Sequence, residues 1–111
     1  MEPPIIVDNK GDVSIFDSVE KAERYLEPID IRNDEYVIYD REGRLLRGAI
    51  VKHFLAERVK LEPASEPGSA MNRLHDVLVD FLARVGVRTE KPLDQCSLEE
   101  LLSEMDRFKT E

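Results

Sequence analysis

Apart from the acids, the strong candidates for nucleophiles, transition-metal ligands or neutral-pH bases in this sequence are His53, His75 and Cys96. His75 precedes Asp76 on a predicted helix, where adjacent side chains point about 100° apart and do not converge on one metal ion. Cys96 comes directly before Ser97, a predicted helix N-cap at which a thiolate would be stabilised. The sequence has no Cys-x-x-Cys, His-Glu-x-x-His, Gly-x-Ser-x-Gly or phosphate-binding glycine motif. We therefore expect no catalytic residues, no metal site and no cofactor.

Pairs of carboxylates are the other candidates for acid–base chemistry. Glu20 and Glu23 share one face of a predicted helix, and Asp76 and Asp80 share a face of another. A catalytic pair normally lies in an apolar cleft that shifts the pKa of one member, whereas these acids lie opposite the apolar stripes of their helices. We expect both pairs to be solvated.

Charge is distributed unevenly along the chain, whose net charge is −8. Residues 1–40 carry 11 acids and 4 bases, residues 41–88 carry 6 acids and 9 bases, and residues 89–111 carry 7 acids and 3 bases. Because duplex binding depends on Lys and Arg side chains that neutralise phosphates, the acidic first third argues against a nucleic-acid partner. It favours a protein partner with a basic surface. The alternative is an acidic surface that only keeps the protein in solution.

The densest acidic run, residues 27–36, is the predicted partner-binding surface. Its members that we expect to contact the partner are Glu27, Asp30, Asp34, Glu35 and Tyr36. Tyr39, in the same predicted strand as Tyr36, is expected to add a second amphipathic ring. At protein interfaces such charges raise the association rate, and aromatic rings supply buried area. The alternative is a solvated loop whose tyrosines pack half in the core.

Length and composition bound the organisation of the chain. With 111 residues, 41% of them hydrophobic, residues 1–111 fit a single domain with one core. Cys96 is the single cysteine and cannot form an internal disulfide, which favours a reducing, cytoplasmic location. The sequence contains neither a basic-then-apolar leader nor a run of about 18 apolar residues, so we expect no membrane partner.

The first half of the chain predicts two hairpins with a helix between them. Residues 5–7 and 13–16 are β-prone runs joined by the turn formers of residues 8–12. Asp17 or Ser18 offers an N-cap for a helix of about ten residues that ends before Pro28. Residues 35–40 and 45–51 form the second hairpin, and residues 54–61 predict a further strand.

The second half predicts two helices after a flexible linker at residues 62–69, which are rich in Pro, Gly and Ser. The first helix has Ser69 as its N-cap and Gly86 as its stop, and the second begins at Ser97 with Glu100 as its capping-box partner. Two apolar stripes are expected to cover one face of the sheet: Met71, Leu74, Leu78, Phe81, Leu82 and Val85, and then Leu98, Leu101, Leu102, Met105 and Phe108. The fold class is therefore α+β, with an antiparallel sheet of about five strands, in the order ββα-βββ-αα, covered by helices.

One set of residues, spread over about a quarter of the chain, carries a resemblance to a known class of proteins: Phe16, Asp17, Ser18, Glu20, Ala22, Tyr25, Leu26, Glu27, Pro28, Ile29, Asp30, Glu35, Tyr36, Tyr39, Asp40 and Gly43. In these residues the chain resembles short bacterial immunity proteins, the partners of polymorphic or contact-dependent toxins. It implies a cytoplasmic protein that binds and blocks one cognate toxin, often a nuclease with a basic active-site cleft. It carries no catalytic residue across to this chain.

Two functional hypotheses follow. The first is a non-catalytic, protein-binding inhibitor of the immunity type, with a basic toxin as its partner. The alternative is a structural or regulatory interaction protein that acts as a homo-oligomer, such as a homodimer formed through the sheet edge or the terminal helices. An enzyme is the least favoured class, because no recognisable catalytic constellation is present.

Overall fold

The computed structural model describes residues 1–64 and 70–109. One antiparallel sheet contains the strands β1 (Ile5–Asn9), β2 (Asp12–Phe16), β3 (Val37–Tyr39), β4 (Leu45–His53) and β5 (Ala56–Pro63). Their order across the sheet is β2-β1-β3-β4-β5. The helices in these ranges are α1 (Val19–Tyr25), α2 (Pro28–Arg32), α3 (Met71–Arg84) and α4 (Leu98–Met105), with short 3-10 turns at Leu93–Gln95 and Asp106–Phe108. The predicted α+β class and the five-stranded antiparallel sheet are confirmed.

The sheet carries an apolar layer on each face. Helices α3 and α4 cover one face, where the core includes Ile6, Val13, Ile15, Tyr39, Leu74, Leu78, Leu82, Leu101, Leu102 and Met105. Helices α1 and α2 cover the other face, where the core includes Ile5, Val7, Phe16, Ala22, Leu26, Ile38, Leu46, Val59 and Leu61. Successive strand residues point to opposite faces, so β1 is buried on both. The expectation that the two C-terminal helices share one face is confirmed, but it is wrong for Met71 and Val85 of the predicted α3 stripe, which are exposed at the two ends of the helix.

The first hairpin and α1 follow local sequence signals. β1 and β2 pair from Ile5 with Phe16 to Asn9 with Asp12, which leaves a two-residue turn. The Ser18 side chain caps α1 by accepting a 3.2 Å hydrogen bond from the Lys21 N–H. The helix has seven residues rather than the expected ten. It stops early because Leu26 is extended, in line with the bias away from helix in front of Pro28.

The segment predicted as a loop after α1 contains a second helix. Pro28 occupies the first turn of α2, where its missing N–H costs no hydrogen bond and its fixed φ suits a helix. The predicted strand at 35–40 is correspondingly shorter, because β3 comprises only Val37–Tyr39. Sequence periodicity does not reveal a helix of five residues, since it is barely longer than one turn.

The β4–β5 hairpin differs from its prediction at both ends of β5. Phe54 and Leu55, expected to start the strand, instead form the two-residue turn between the paired residues His53 and Ala56. At the other end, the predicted linker residues Glu62 and Pro63 belong to β5 and pair with β4. The strand therefore continues to a proline, which is tolerated there because β5 is an edge strand.

Ala64, also in the predicted linker, donates a 3.1 Å hydrogen bond from its N–H to the Leu45 carbonyl. The other predicted linker residues, 65–69, lie outside the described residues, and so does the predicted N-cap Ser69. Helix α3 begins at Met71, with Ala70 in the N-cap position and no side-chain cap. Gly86, the predicted stop, follows the C-cap Val85 with a φ of 83°, which confirms the helix end. Ser97 and Glu100 form the predicted capping box of α4.

The turn between β3 and β4 fixes the start of α3. The fully buried Asp40 carboxylate accepts hydrogen bonds from the backbone N–H groups of Glu42 and Arg44, at 2.9 and 3.0 Å. The Ala70 N–H donates a 2.7 Å hydrogen bond to the Gly43 carbonyl. Gly43 has a φ of 78°, and a Cβ there would lie 2.8 Å from the Met71 Cα. A side chain at position 43 would therefore push α3 away from the turn.

Strands β4 and β5 extend beyond the rest of the sheet. β3 pairs with β4 only at Leu45 and Leu46, whereas β4 and β5 pair as far as His53 with Ala56. We call residues 47–62, which form this two-stranded projection, the arm. None of the helices in the described ranges is both long enough and apolar enough to cross a bilayer.

Candidate functional site

The predicted partner-binding residues lie on α2 and in the turn that leads to β3. Glu27 is the N-cap of α2, Asp30 lies within it, and Asp34 and Glu35 follow it. Backbone hydrogen bonds of 3.1 Å, from the Asp34 N–H to the Ile31 carbonyl and from the Glu35 N–H to the Asp30 carbonyl, tie this turn to the helix. We call Glu27, Asp30, Asp34, Glu35 and Tyr36 with the intervening Ile29 the acidic surface.

Helix α2 packs against the arm through Ile31. The Ile31 side chain lies over Gly48 of β4, where a Cβ would approach the Ile31 Cδ1 to 2.7 Å and the Val59 Cγ1 to 3.0 Å. The absence of a side chain at Gly48 therefore lets the helix approach the sheet closely. Since Ile31 points inward, the opposite side of this short helix is left for the solvent.

Tyr36 is held by Asp30. The Tyr36 hydroxyl donates a 2.9 Å hydrogen bond to the Asp30 carboxylate, and the ring packs against the apolar layer under α1 and α2. Burial, together with this hydrogen bond, raises the pKa of Tyr36 well above its ordinary value. The two side chains therefore brace the acidic surface from within, and only part of each is open to a partner.

Exposure divides the predicted residues into two groups. Glu27 and Asp34 are exposed, whereas Asp30, Glu35 and Tyr36 are half-buried. Asp34 has a φ of 53°, a left-handed conformation that aspartate tolerates better than most residues. The two exposed acids are the members whose charge is most open to a partner.

Ile29 is an exposed apolar residue that the sequence prediction left out of the surface. Its side chain is 61% exposed on α2, with Glu27 and Asp30 as near neighbours in the chain. Sequence patterning predicts isoleucine in a core, and only the observed placement of Ile31 toward the sheet shows which of the two isoleucines faces outward. Ile29 adds an exposed apolar side chain to the acidic surface.

The second ring expected at this surface is not available. Tyr39 is fully buried in the layer under α3 and α4, because it lies on the sheet face opposite α2. Its burial raises the pKa of the phenol. The expectation that Tyr39 presents its ring to a partner is therefore wrong, and the structure assigns it to the core.

An ion pair joins α2 to the edge strand of the arm. The Arg32 guanidinium contacts the Glu57 carboxylate through both terminal nitrogens, one of them at 3.1 Å. The hydrogen bond raises the pKa of Arg32 and lowers that of Glu57. Both groups remain in contact with water, so the pair orients α2 on β5 more than it stabilises the fold.

A groove of about 680 Å³ runs between α1, the start of α2 and the edge of β5. Leu26, Pro28 and Val59 supply its apolar lining, and Glu20, Glu23, Arg24, Glu57 and Arg58 supply its charges. Glu23 was expected to be solvated, but it is half-buried and accepts a hydrogen bond from the Leu61 N–H. That expectation is wrong for Glu23, whereas Glu20, Asp76 and Asp80 are exposed as predicted.

His75 and Cys96 serve contacts within the fold. His75 donates from Nε2 to the Cys96 carbonyl oxygen at 2.7 Å, which ties α3 to the segment before α4. The buried Cys96 thiol lies 3.6 Å from the Pro92 carbonyl oxygen, which accepts from it. Within residues 1–64 and 70–109, no cluster of three or more His, Cys, Asp or Glu side chains could hold a metal ion.

No family model, curated protein or solved structure matches this chain. The resemblance to immunity proteins therefore remains a prediction from the sequence.

Proposed function

We propose that this chain is a non-catalytic protein-binding module, an immunity-type inhibitor that uses the acidic surface to bind a basic surface of a cognate toxin. The observation that carries the proposal is a helix fixed to the sheet that exposes the apolar side chain of Ile29 and is flanked by two exposed acids, Glu27 and Asp34. Protein–protein contacts combine apolar side chains with charged ones in this way.

The charged and the apolar side chains of the acidic surface have separate effects on binding. The exposed carboxylates speed association with a basic partner, because attraction between opposite charges steers the encounter. The apolar Ile29 side chain slows dissociation by leaving water when the complex forms. The bracing of Tyr36 by Asp30 supports this proposal, because a surface that is already ordered loses less conformational entropy on binding.

The alternative of a homodimer through the edge of β5 is less well supported, because Glu23 of α1 already accepts from the outward N–H of Leu61. An antiparallel pairing centred on Val59 would place Arg58 of each copy opposite Lys60 of the other. Both side chains are exposed, and like charges directly opposite one another destabilise strand pairs.

The proposal is tested by capture from the native cell extract, with partners identified by mass spectrometry. The variant Glu27→Lys/Asp34→Asn removes the exposed charges of the acidic surface, and asparagine keeps the tolerance for a positive φ at position 34. The control Asp76→Lys/Glu90→Gln changes the net charge by the same amount at exposed positions outside the acidic surface.

A basic protein retained by the wild type and by the control, but lost from the acidic-surface variant, is the expected result. Its association rate should fall by about tenfold or more in the variant and should decrease as salt is added. Equal capture by both variants would place the interface elsewhere. Co-expression with the captured protein then checks inhibition, since a toxin should be neutralised by the wild type and not by the variant.

A further inference from the structure

The end of the arm exposes two adjacent large apolar side chains. Phe54 is 91% exposed and Leu55 is fully exposed, at the two-residue turn that joins β4 to β5. Single exposed apolar residues are common on protein surfaces. A neighbouring pair at the end of a projecting hairpin is different, because both side chains would contact any partner that binds the end of the arm.

The turn formed by Phe54 and Leu55 also lacks the residue types that two-residue hairpin turns usually contain. Two-residue hairpin turns favour Asn, Asp and Gly, which adopt a positive φ at little cost. Here Phe54 has a φ of 56°, an uncommon and strained conformation for a bulky residue. Turn propensity therefore does not account for Phe and Leu at these positions, and retained strain of this kind points to a functional role.

Basic side chains flank the turn on both faces of the arm. Lys52 lies two positions before Phe54, and Arg58 lies three positions after Leu55. The strand register puts Lys52 on the face that carries α2 and Arg58 on the opposite face, and both are exposed. The nearest acid of the arm, Glu57, lies opposite Lys52 in the strand register and forms an ion pair with Arg32, so two bases face this one acid. The apolar tip therefore sits within a local excess of positive charge.

We propose that Phe54 and Leu55 insert into the interfacial layer of an anionic lipid bilayer, with Lys52 and Arg58 at the level of the headgroups. A bilayer surface accepts a convex apolar tip without a matching cavity, and anionic headgroups attract bases from all sides of the arm. The inference concerns peripheral contact and is independent of the proposed function. It departs from the sequence-based expectation of no membrane partner, which rested on the lack of a spanning segment and a leader.

Other occupants fit the tip less well. A second copy meeting tip to tip would bring the two sets of Lys52 and Arg58 together, and their like charges would repel. An acidic pocket on a protein would attract only the bases on the face of the arm turned toward it. Here both faces of the arm carry a base, which fits a surface that surrounds the tip better. The net charge of −8 opposes approach to anionic lipid. Screening over about 8 Å at physiological salt limits repulsion from acids elsewhere in the chain, and the arm itself, residues 47–62, carries four bases and two acids.

A tryptophan placed at the tip reports on insertion directly, because the chain contains no tryptophan. Leu55→Trp should show a blue shift of its emission when vesicles of equal parts phosphatidylcholine and phosphatidylglycerol are added. Vesicles of phosphatidylcholine alone should give little shift. The matched control Val85→Trp, at an exposed apolar position at the end of α3, should show no shift with either vesicle.

Co-sedimentation of the full chain with the same vesicles measures the affinity. The variant Phe54→Asn/Leu55→Gly replaces the tip with residues suited to the turn, so the hairpin should fold at least as well while vesicle binding falls by tenfold or more. Lys52→Gln/Arg58→Gln should lower binding by about fivefold for each base removed. Native circular-dichroism spectra of both variants would confirm that the fold is kept.

Each alternative result overturns the proposal. Wild-type protein that stays in the supernatant with anionic vesicles, or a tip variant that binds as the wild type does, excludes lipid insertion. A blue shift that grows with protein concentration in the absence of vesicles identifies a second copy as the occupant. A tip variant that leaves vesicle binding unchanged but loses a captured protein identifies a protein pocket instead.

Discussion

The Glu23 carboxylate of α1 accepts a 2.7 Å hydrogen bond from the backbone N–H of Leu61 in β5. β5 is an edge strand, and this N–H points away from β4 toward the helix. Leu61 is almost fully buried, so water has little access to the donor if the carboxylate is removed. A side chain of α1 therefore closes part of the sheet edge that would otherwise present an unpaired backbone group.

The first prediction follows from this contact. Glu23→Ala should lower the free energy of unfolding by about 1–3 kcal/mol, because it leaves a buried N–H without its acceptor. Glu23→Gln keeps an acceptor oxygen and should lose clearly less. Urea denaturation of the three proteins measures the difference. Equal stability of the Ala and Gln variants would show that the hydrogen bond contributes nothing to folding.

The second prediction concerns the contact between the β3–β4 turn and α3. Gly43→Ala should destabilise the fold by about 2 kcal/mol or more, because it adds a steric clash with Met71 to the strain of a positive φ. The control is Gly86→Ala, where φ is also positive, at 83°, but the space around the Cβ is open. Thermal melting should show a clearly larger loss for position 43, and equal losses would contradict the clash.

The third prediction concerns the apolar stripe of α3. Phe81 packs edge-to-face on Phe108, with ring centroids 5.4 Å apart, but it is only half-buried. Phe81→Ala should therefore cost about 2–3 kcal/mol, which is less than the 3–5 kcal/mol typical of large core truncations. Leu78→Ala, at a fully buried position of the same helix, is the matched comparison. An unchanged melting temperature for Phe81→Ala would mean that this side chain contributes nothing to the packing.

The fourth prediction is a pH dependence at the start of α4. Glu100 forms an ion pair with Lys91 at 2.8 Å and shares the capping hydrogen bonds with Ser97. These contacts lower the pKa of Glu100. A carboxyl group whose pKa is lower in the folded state stabilises the fold at pH values above its unfolded pKa of about 4.3. This stabilisation is lost as the pH falls through the folded pKa.

Glu100→Gln retains an acceptor for the capping box but lacks the charge, so the wild type should be more stable at pH 7. The difference should shrink as the pH falls below the unfolded pKa of about 4.3 and should disappear once the pH is below the lowered folded pKa. Urea midpoints measured across this range give the comparison, with Glu90→Gln as an exposed control. A stability gap between the wild type and Glu100→Gln that persists unchanged at low pH would contradict the role of the charge.

The sequence by itself determined the fold class and which face of α3 and of α4 is buried. Leu74, Leu78 and Leu82 recur at helical spacing, so their burial on the inner face of α3 follows from one local pattern. The first hairpin follows from alternating β-prone residues around turn formers, and the Ser97–Glu100 capping box follows from two residue types three positions apart. Signals of this kind are contained within one or two turns of chain.

Tertiary structure alone decided the features that bear on function. Whether Ile29 or Ile31 faces the solvent depends on the space over Gly48, and Tyr39 is buried because α3, far along the chain, covers its face of the sheet. Likewise, Phe54 and Leu55 look like strand residues until the register of β4 with β5 makes them the turn. Burial of these residues depends on partners distant in sequence, which local propensity does not encode.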